Sequence, residues 1–90
     1  MASLTYSIHS QRYKELRTQL RTIRKAAGLT QIELALKLGI DQSYISKIEL
    51  GHRFVDVLLF IDICIACGRT PDDVFSSLLL SSTSARYFKI

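Results

Sequence analysis

The sequence predicts an all-α fold, a compact bundle of five short helices. Apolar residues recur at three- and four-residue steps in five segments, as they do on the buried face of a helix. Glycines follow four of these segments, and glycine is frequent just after a helix C-terminus. With 90 residues, of which 48% are hydrophobic and 22% charged, the chain has the size and composition of one globular domain.

The first two helices are predicted from their periodicity and from their end signals. Helix one spans residues 12–27 and stops at Gly28. Its outer faces are basic and carry Arg12, Lys14, Arg17, Arg21, Arg24 and Lys25. Helix two opens at Thr30, which forms a capping-box pattern with Glu33 three residues later, and it ends at Gly39.

Three further helices follow at short intervals. Asp41 can cap a third helix that ends at Gly51, and Asp56 can cap a fourth that continues to about residue 67. A fifth helix is predicted from Thr70 to about residue 80. Its start combines an N-cap residue with proline at the first helical position and acidic residues in the first turn.

The two ends of the chain differ from this helical pattern. Leu4, Tyr6 and Ile8 alternate with polar residues, and the last four residues, 87–90, favour β structure, so short strands could form at both termini. The sequence therefore divides into an N-terminal arm over residues 1–11, a helical domain over 12–80 and a C-terminal tail over 81–90.

Positive charge is concentrated near the N-terminus. Residues 1–30 carry a net charge of +5, residues 31–53 are neutral and residues 54–90 carry −1. This asymmetry indicates an anionic partner, although an ordinary solvated basic helix face would produce the same counts. We expect a cytoplasmic protein without membrane contact, because no apolar run reaches about 20 residues and the N-terminus lacks a signal-peptide pattern.

Two cysteines and two histidines are the residues that would bind zinc. Cys64 and Cys67 lie in an apolar segment at helix-core spacing, and His9 and His52 are not paired in sequence. Free core thiols are therefore the favoured interpretation. The sequence also lacks a glycine-rich phosphate loop and an activated cysteine. We expect no enzymatic activity, no cofactor and no metal.

The most informative stretch is QIELALKLGIDQSYISKIEL, residues 31–50. Two short helices joined by a tight turn can cross closely when the contact residue is small, here Ala35, and the turn admits a left-handed backbone, here Gly39. The apolar residues predicted to face the core are Leu34, Leu38, Ile40, Ile45 and Ile48. The second helix then presents polar residues outward: Gln42, Ser43, Tyr44, Ser46 and Lys47.

In the order and spacing of these features, the sequence resembles the phage repressor and Cro-type (XRE) helix-turn-helix family of transcriptional regulators. The resemblance runs from about Leu16 to Leu79. It rests on AGLTQIELA, the glycine turn, SYISKIE followed by Leu-Gly, an apolar fourth helix and the Thr-Pro-Asp-Asp start of the fifth. It implies a lambda repressor-like DNA-binding domain over residues 12–80, whose second motif helix enters the major groove of double-stranded operator DNA.

The resemblance also implies roles for single residues. The residues it assigns to base contacts are Gln42, Ser43 and Lys47. It assigns phosphate contact to Gln31, with weaker candidates in Tyr44, Ser46, His52 and Arg53. Outside this motif, the same polar residues would be interpreted as a solvated helix start. Arg24 and Glu49 match positions that form a semi-buried structural salt bridge.

Helix four is apolar almost all round, with Asp62 as its one interruption. A helix this short in a small domain does not bury every side unless a partner covers the remainder. We therefore expect a homodimer, with interface residues Phe75, Leu78, Leu79 and Leu80. In the alternative arrangement, the terminal segments fold back over this surface.

The expected function is a repressor that binds a pseudo-palindromic operator as a homodimer. The alternative is an antitoxin or a protein-interaction module that keeps the fold and acts mainly through a protein partner such as a toxin. Polar residues on the second motif helix favour the first function, because a surface converted to protein binding would be more apolar or more acidic.

Overall fold

Five α-helices follow one another in the predicted order in the computed structural model, which describes residues 7–80. They are α1 (Gln11–Ala26), α2 (Gln31–Leu38), α3 (Gln42–Leu50), α4 (Val57–Ala66) and α5 (Pro71–Leu79). The all-α class is confirmed, and the predicted ends differ from the observed ones by about one residue. None of these helices is both long and apolar enough to cross a membrane.

Side-chain hydrogen bonds fix the start of four helices. Ser10, Asp41 and Asp56 each accept a hydrogen bond from a backbone N–H in the first turn of α1, α3 and α4, respectively. At α2 the capping box is complete, because Thr30 Oγ1 accepts from the Glu33 N–H and Glu33 Oε1 accepts from the Thr30 N–H. Such caps contribute about 1 kcal/mol each to helix stability.

The start of α5 has the predicted proline and acidic residues, but its N-cap residue makes no hydrogen bond. Thr70 occupies the N-cap position, but its side chain makes no capping hydrogen bond. Pro71 at the first helical position supplies the start instead, since its fixed φ suits a helix and its missing N–H needs no partner. Asp73 pairs with Arg69 at 2.6 Å across one turn. Both of these side chains are well exposed, so the pair contributes little to stability.

The prediction of an N-terminal strand is wrong where it can be compared with the structure. Ile8 lies in a turn that precedes α1, and residues 7–80 contain no strand. The turn satisfies its own backbone, because the Ser10 N–H donates to the Ser7 carbonyl at 3.0 Å. The other residues expected in strands, Leu4, Tyr6 and those at 87–90, lie outside the described residues.

One hydrophobic core joins the helices. Helix α2 packs against α3 and α4, α1 packs against α3, α4 and α5, and α4 packs against α5. The side chains with the least exposure are Ile23, Leu34, Ile45, Ile48, Cys64 and Val74. Leu38 and Ile40 pack against this core while partly buried. Burial of one such aliphatic side chain contributes about 1.5–3 kcal/mol relative to its exposure.

The turn between α2 and α3 sets the crossing of the two helices. Gly39 adopts a left-handed conformation with φ of 70°, which residues with a side chain rarely adopt. The next N–H, of Ile40, donates to the Ala35 carbonyl at 3.1 Å and closes the end of α2. Ala35 is buried at the contact. The structure thus uses both small residues as predicted.

Candidate nucleic-acid interface

Helix α3 presents a polar face at its N-terminal end. Ser43 and Lys47 are exposed, and Gln42, Tyr44 and Ser46 are half-buried. Asp41 caps the helix through the Ser43 N–H. Because Ser43 and Lys47 are four residues apart on a helix, they lie on the same face. The structure therefore places the residues for which base contact is predicted on one helix, with Gln42 and Ser43 in its first turn and Lys47 in its last turn.

Gln42 is held in place by a side-chain hydrogen bond. Its Nε2 donates to Oε1 of Gln31, the first residue of α2, over 2.7 Å. Gln31 Nε2 in turn donates to Glu49 Oε1 over 2.9 Å. The phosphate contact assigned to Gln31 stays a prediction, but the structure adds a second role, because this amide links α2 to both ends of α3.

The chain of hydrogen bonds ends on a buried ion pair between α1 and α3. Arg24 Nε lies 2.7 Å from Glu49 Oε2, and Arg24 Nη2 donates to Glu49 Oε1 over 3.0 Å. The two side chains are only 8% and 7% exposed. Arg24 Nη1 also donates to the Leu29 carbonyl at 2.8 Å, just before α2. Paired and hydrogen-bonded in this way, a buried guanidinium and a buried carboxylate tie three helices together.

The loop between α3 and α4, residues 51–56, carries two of the weaker phosphate candidates. His52 and Arg53 are both exposed. The guanidinium carbon of Arg53 lies 4.1 Å from the centroid of the Tyr44 ring, in cation–π geometry. Tyr44 is thus a platform for Arg53. The structure brings Tyr44 and Arg53 together. The phosphate contacts of both residues stay predictions.

The residues predicted for a dimer interface lie on α5 and directly after it. Phe75, Leu79 and Leu80 are exposed to 52%, 43% and 80%, and Leu78 is half-buried. The inner side of the Phe75 ring packs against the buried ring of Phe60, with centroids 5.3 Å apart. These side chains form an apolar surface that extends from the core to solvent.

The cysteines are core residues. Cys64 and Cys67 are free thiols, 0% and 8% exposed, whereas His9 and His52 are exposed. Burial raises the pKa of the Cys64 thiol to about 11 and also raises that of Cys67. Both thiols are therefore protonated at neutral pH, the form that packs best in an apolar core and is least reactive.

Two residues of α1 that contact the α3–α4 loop were not identified from the sequence. From the sequence, Arg17 is one of several basic residues on the outer faces of helix one, and nothing distinguishes it from the others. The Tyr13 hydroxyl hydrogen-bonds two backbone groups of the loop, and the Arg17 guanidinium lies against Gly51. A signal was available for Tyr13, because a buried phenol requires a hydrogen-bond partner.

Comparisons with known proteins agree with this geometry. The sequence model of the helix-turn-helix family matches residues 20–74. A protein of Methanothermobacter thermautotrophicus described as an uncharacterized HTH-type transcriptional regulator is 38% identical over 61 residues, which cover 67% of this chain and 88% of that protein. A solved structure of an XRE-family like protein from Pseudomonas syringae pv. tomato has a TM-score of 0.74 and 45% identity. That match covers 79% of this chain and 87% of the other.

The fold and the outward face of α3 define a helix-turn-helix domain. The family match spans more than half of the chain, from the C-terminal half of α1 into α5. With the sequence and structural relatives, it shows that this chain belongs to the XRE-type helix-turn-helix family of DNA-binding regulators.

Proposed function

We propose that this protein is a cytoplasmic transcriptional repressor that binds a pseudo-palindromic DNA operator as a homodimer. The observation that carries the proposal is the hydrogen bond that holds the Gln42 amide at the start of α3. In helix-turn-helix proteins, the N-terminal residues of the second motif helix contact base edges in the major groove. Exposed Ser43 follows Gln42 there, and exposed Lys47 lies one helical turn beyond Ser43 on the same face.

The amide of Gln42 retains the groups that adenine requires. One of its two Nε2–H donors goes to Gln31. The second Nε2–H and the Oε1 acceptor remain, and a bidentate contact with adenine needs one donor and one acceptor. Because Gln31 already fixes the amide orientation, less side-chain entropy is lost when Gln42 meets a base.

The charge distribution supports affinity for DNA in general. The +5 charge of residues 1–30 includes the basic residues of α1, and Lys47 and Arg53 are exposed on and beside α3. Positive charge near a duplex releases counterions and raises the rate of encounter, whatever the base sequence. Specificity would come from the polar residues at the start of α3.

The homodimer is proposed because α4 and α5 expose many apolar side chains to solvent. Within residues 7–80, exposed apolar side chains on or beside α4 and α5 include Val57, Leu58, Ile65, Phe75, Leu79 and Leu80. A cleft of about 360 Å³ between α1 and α5 continues this surface and is lined in part by Leu16, Phe54 and Leu78. A pseudo-palindromic operator requires two α3 helices about one DNA turn apart, roughly 34 Å, so the proposed dimer through α5 has to present its two α3 helices at that spacing.

The alternative function, through a protein partner such as a toxin, has a separate observation in its favour. Ile32 and Leu36 lie four residues apart on one face of α2 and are 61% and 77% exposed. They do not belong to the polar face of α3 or to the proposed dimer surface. If this face binds a protein, DNA binding and partner binding would involve different sides of α2.

The test is a titration of the purified protein against the DNA upstream of its own gene and against a scrambled duplex. Gln42→Ala is expected to lower the preference for the upstream DNA by about 1–3 kcal/mol, the value of a lost bidentate contact. Lys37→Ala, an exposed lysine on α2, is the matched control. If Gln42→Ala retains full affinity and preference, the proposed role of α3 is wrong.

Gln31→Ala adds a second comparison. The predicted phosphate contact implies that its loss weakens all duplexes alike. The hydrogen bond to Gln42 implies that it also lowers the preference for the upstream DNA, because the Gln42 amide is then free to rotate. If Gln31→Ala weakens binding to both duplexes equally and leaves the preference unchanged, Gln31 contacts a phosphate but does not orient Gln42.

A further inference from the structure

One side chain of α1, Tyr13, forms two hydrogen bonds with the backbone of the α3–α4 loop. Tyr13 Oη donates a hydrogen bond to the Arg53 carbonyl over 2.9 Å and accepts one from the Val55 N–H over 3.0 Å. Tyr13 is 8% exposed, and its ring lies against the Phe54 ring at an interplanar angle of 73°, with centroids 4.8 Å apart. Three consecutive loop residues therefore contact one side chain of α1.

The protonation state of this phenol suits its two bonds. Burial raises the pKa of Tyr13, although the hydrogen bond from Val55 and the charge of Arg17 act in the opposite direction. The hydroxyl is therefore protonated at neutral pH, and it donates to one backbone group while it accepts from another.

The same face of α1 also covers the start of the loop. Arg17 follows Tyr13 by one helical turn, and its guanidinium lies against Gly51. Gly51 has φ of 80°, and a methyl group at this position would overlap the guanidinium. The loop is thus confined at residue 51 by Arg17 and at residues 53–55 by Tyr13.

Arg53 is held at a second point by α3. Its guanidinium stacks on the Tyr44 ring at 4.1 Å. Stacking occupies the face of the guanidinium, while its N–H groups point outward in the plane of the group, where they are available to a phosphate oxygen. Its backbone is fixed by α1 and its side chain by the helix proposed to enter the groove.

We propose that Tyr13 is a positioning residue for DNA binding, which fixes the loop so that Arg53 contacts a backbone phosphate in register with α3. This inference rests on the proposed DNA-binding function and deepens it. It gives α1 a role in DNA binding through the neutral hydroxyl of Tyr13. This role is separate from the electrostatic attraction between DNA and the basic residues of α1.

The test uses Tyr13→Phe, which removes both hydrogen bonds and keeps the ring. Binding to the upstream DNA and to a scrambled duplex is measured between about 50 and 200 mM salt. We expect about tenfold weaker binding to both duplexes, because a charge-assisted phosphate contact is lost. The slope of log K against log salt should decrease by about one, as for one phosphate, with the preference between duplexes unchanged.

The control separates positioning from stability. Ile63→Val truncates a buried side chain of α4 that takes no part in the hydrogen bonds and ring contacts that hold the loop. It should lower the melting temperature to a similar extent as Tyr13→Phe, yet leave the salt slope unchanged. Arg53→Ala should reproduce the slope change of Tyr13→Phe, and the double variant should bind no more weakly than Arg53→Ala by itself.

The outcomes distinguish the two proposals. An unchanged salt slope in Tyr13→Phe, or additive losses in the double variant, overturns the positioning role while Gln42→Ala still tests the function of α3. A slope change in Ile63→Val as well would also overturn it, because loss of stability would then explain the effect. If the parent protein binds neither duplex, the proposed function fails and the positioning role fails with it.

Discussion

The start of α3 and the α4–α5 pair differ in how their outward side chains are held. At the start of α3, Gln42 is joined through Gln31 and Glu49 to Arg24, so each of these four side chains has at least one hydrogen-bond partner. On α5, by contrast, side chains such as Leu79 stay 43% exposed although they are apolar.

In the proposed function, this difference separates two kinds of binding in one small domain. A polar surface whose side chains are already oriented can bind a polar ligand with little loss of conformational entropy. An apolar surface of this extent is unfavourable in water until another apolar surface covers it. These properties are the ones required by the proposed base contacts of the first surface and by the proposed dimer contact of the second.

The largest effect on stability is expected at the Arg24–Glu49 ion pair, to which Gln31 and Gln42 are linked by hydrogen bonds. Arg24→Ala and Glu49→Ala each leave an unpaired charge in a site less than 10% exposed, and each should lower the free energy of unfolding by about 3–5 kcal/mol. The double variant should lose less than the sum of the two. Urea unfolding of all four proteins measures this, and strict additivity would contradict the coupling of the pair.

The apolar surface is tested by Leu79→Asp. A charge in the proposed interface should weaken the dimer by about a hundredfold or more, because a carboxylate would be buried without a partner. Sedimentation at micromolar concentration should then show monomers that retain the helical circular dichroism of the parent. Leu36→Asp, at an exposed leucine of α2, is the matched control and should stay dimeric. A monomeric parent protein would refute the proposed dimer.

A smaller effect on stability is expected at alkaline pH. It concerns Cys64, a buried residue of α4 in the core. The pKa of Cys64 is about 11 in the folded chain, against a usual value of 9.0. Below pH 9 the thiol is protonated in both states, and its contribution to stability is complete. As the pH rises from 9 toward 11, the unfolded chain ionises first, so the free energy of unfolding falls by about 1.4 kcal/mol per pH unit.

Cys64→Ala provides the control for this titration. Removal of the thiol should reduce the slope of stability against pH between 9 and 11, although Tyr13 and Cys67, whose pKa values are also raised, still contribute. Equal slopes in the parent and in Cys64→Ala would show that ionisation of this thiol does not drive the loss.

The sequence predicted most of what depends on neighbours along the chain. The capping box of Thr30 and Glu33, the left-handed turn at Gly39 and the inward face of Leu34 follow from patterns within a few residues. Where several local signals coincide, as at Thr70-Pro71, the predicted position of the helix start was correct, but the N-cap side chain makes no hydrogen bond.

The connections between helices were decided by the tertiary structure. The bond from Gln42 to Gln31 spans 11 residues, and that from Tyr13 to Arg53 spans 40. Such contacts depend on how α1, α2 and α3 cross, and a pattern of polar and apolar residues does not encode that geometry. The sequence by itself therefore determined the helices, their buried faces and the polar character of α3. Only packing decided which side chains orient Gln42 and which grip the α3–α4 loop, because these hydrogen bonds form after distant segments have been brought together.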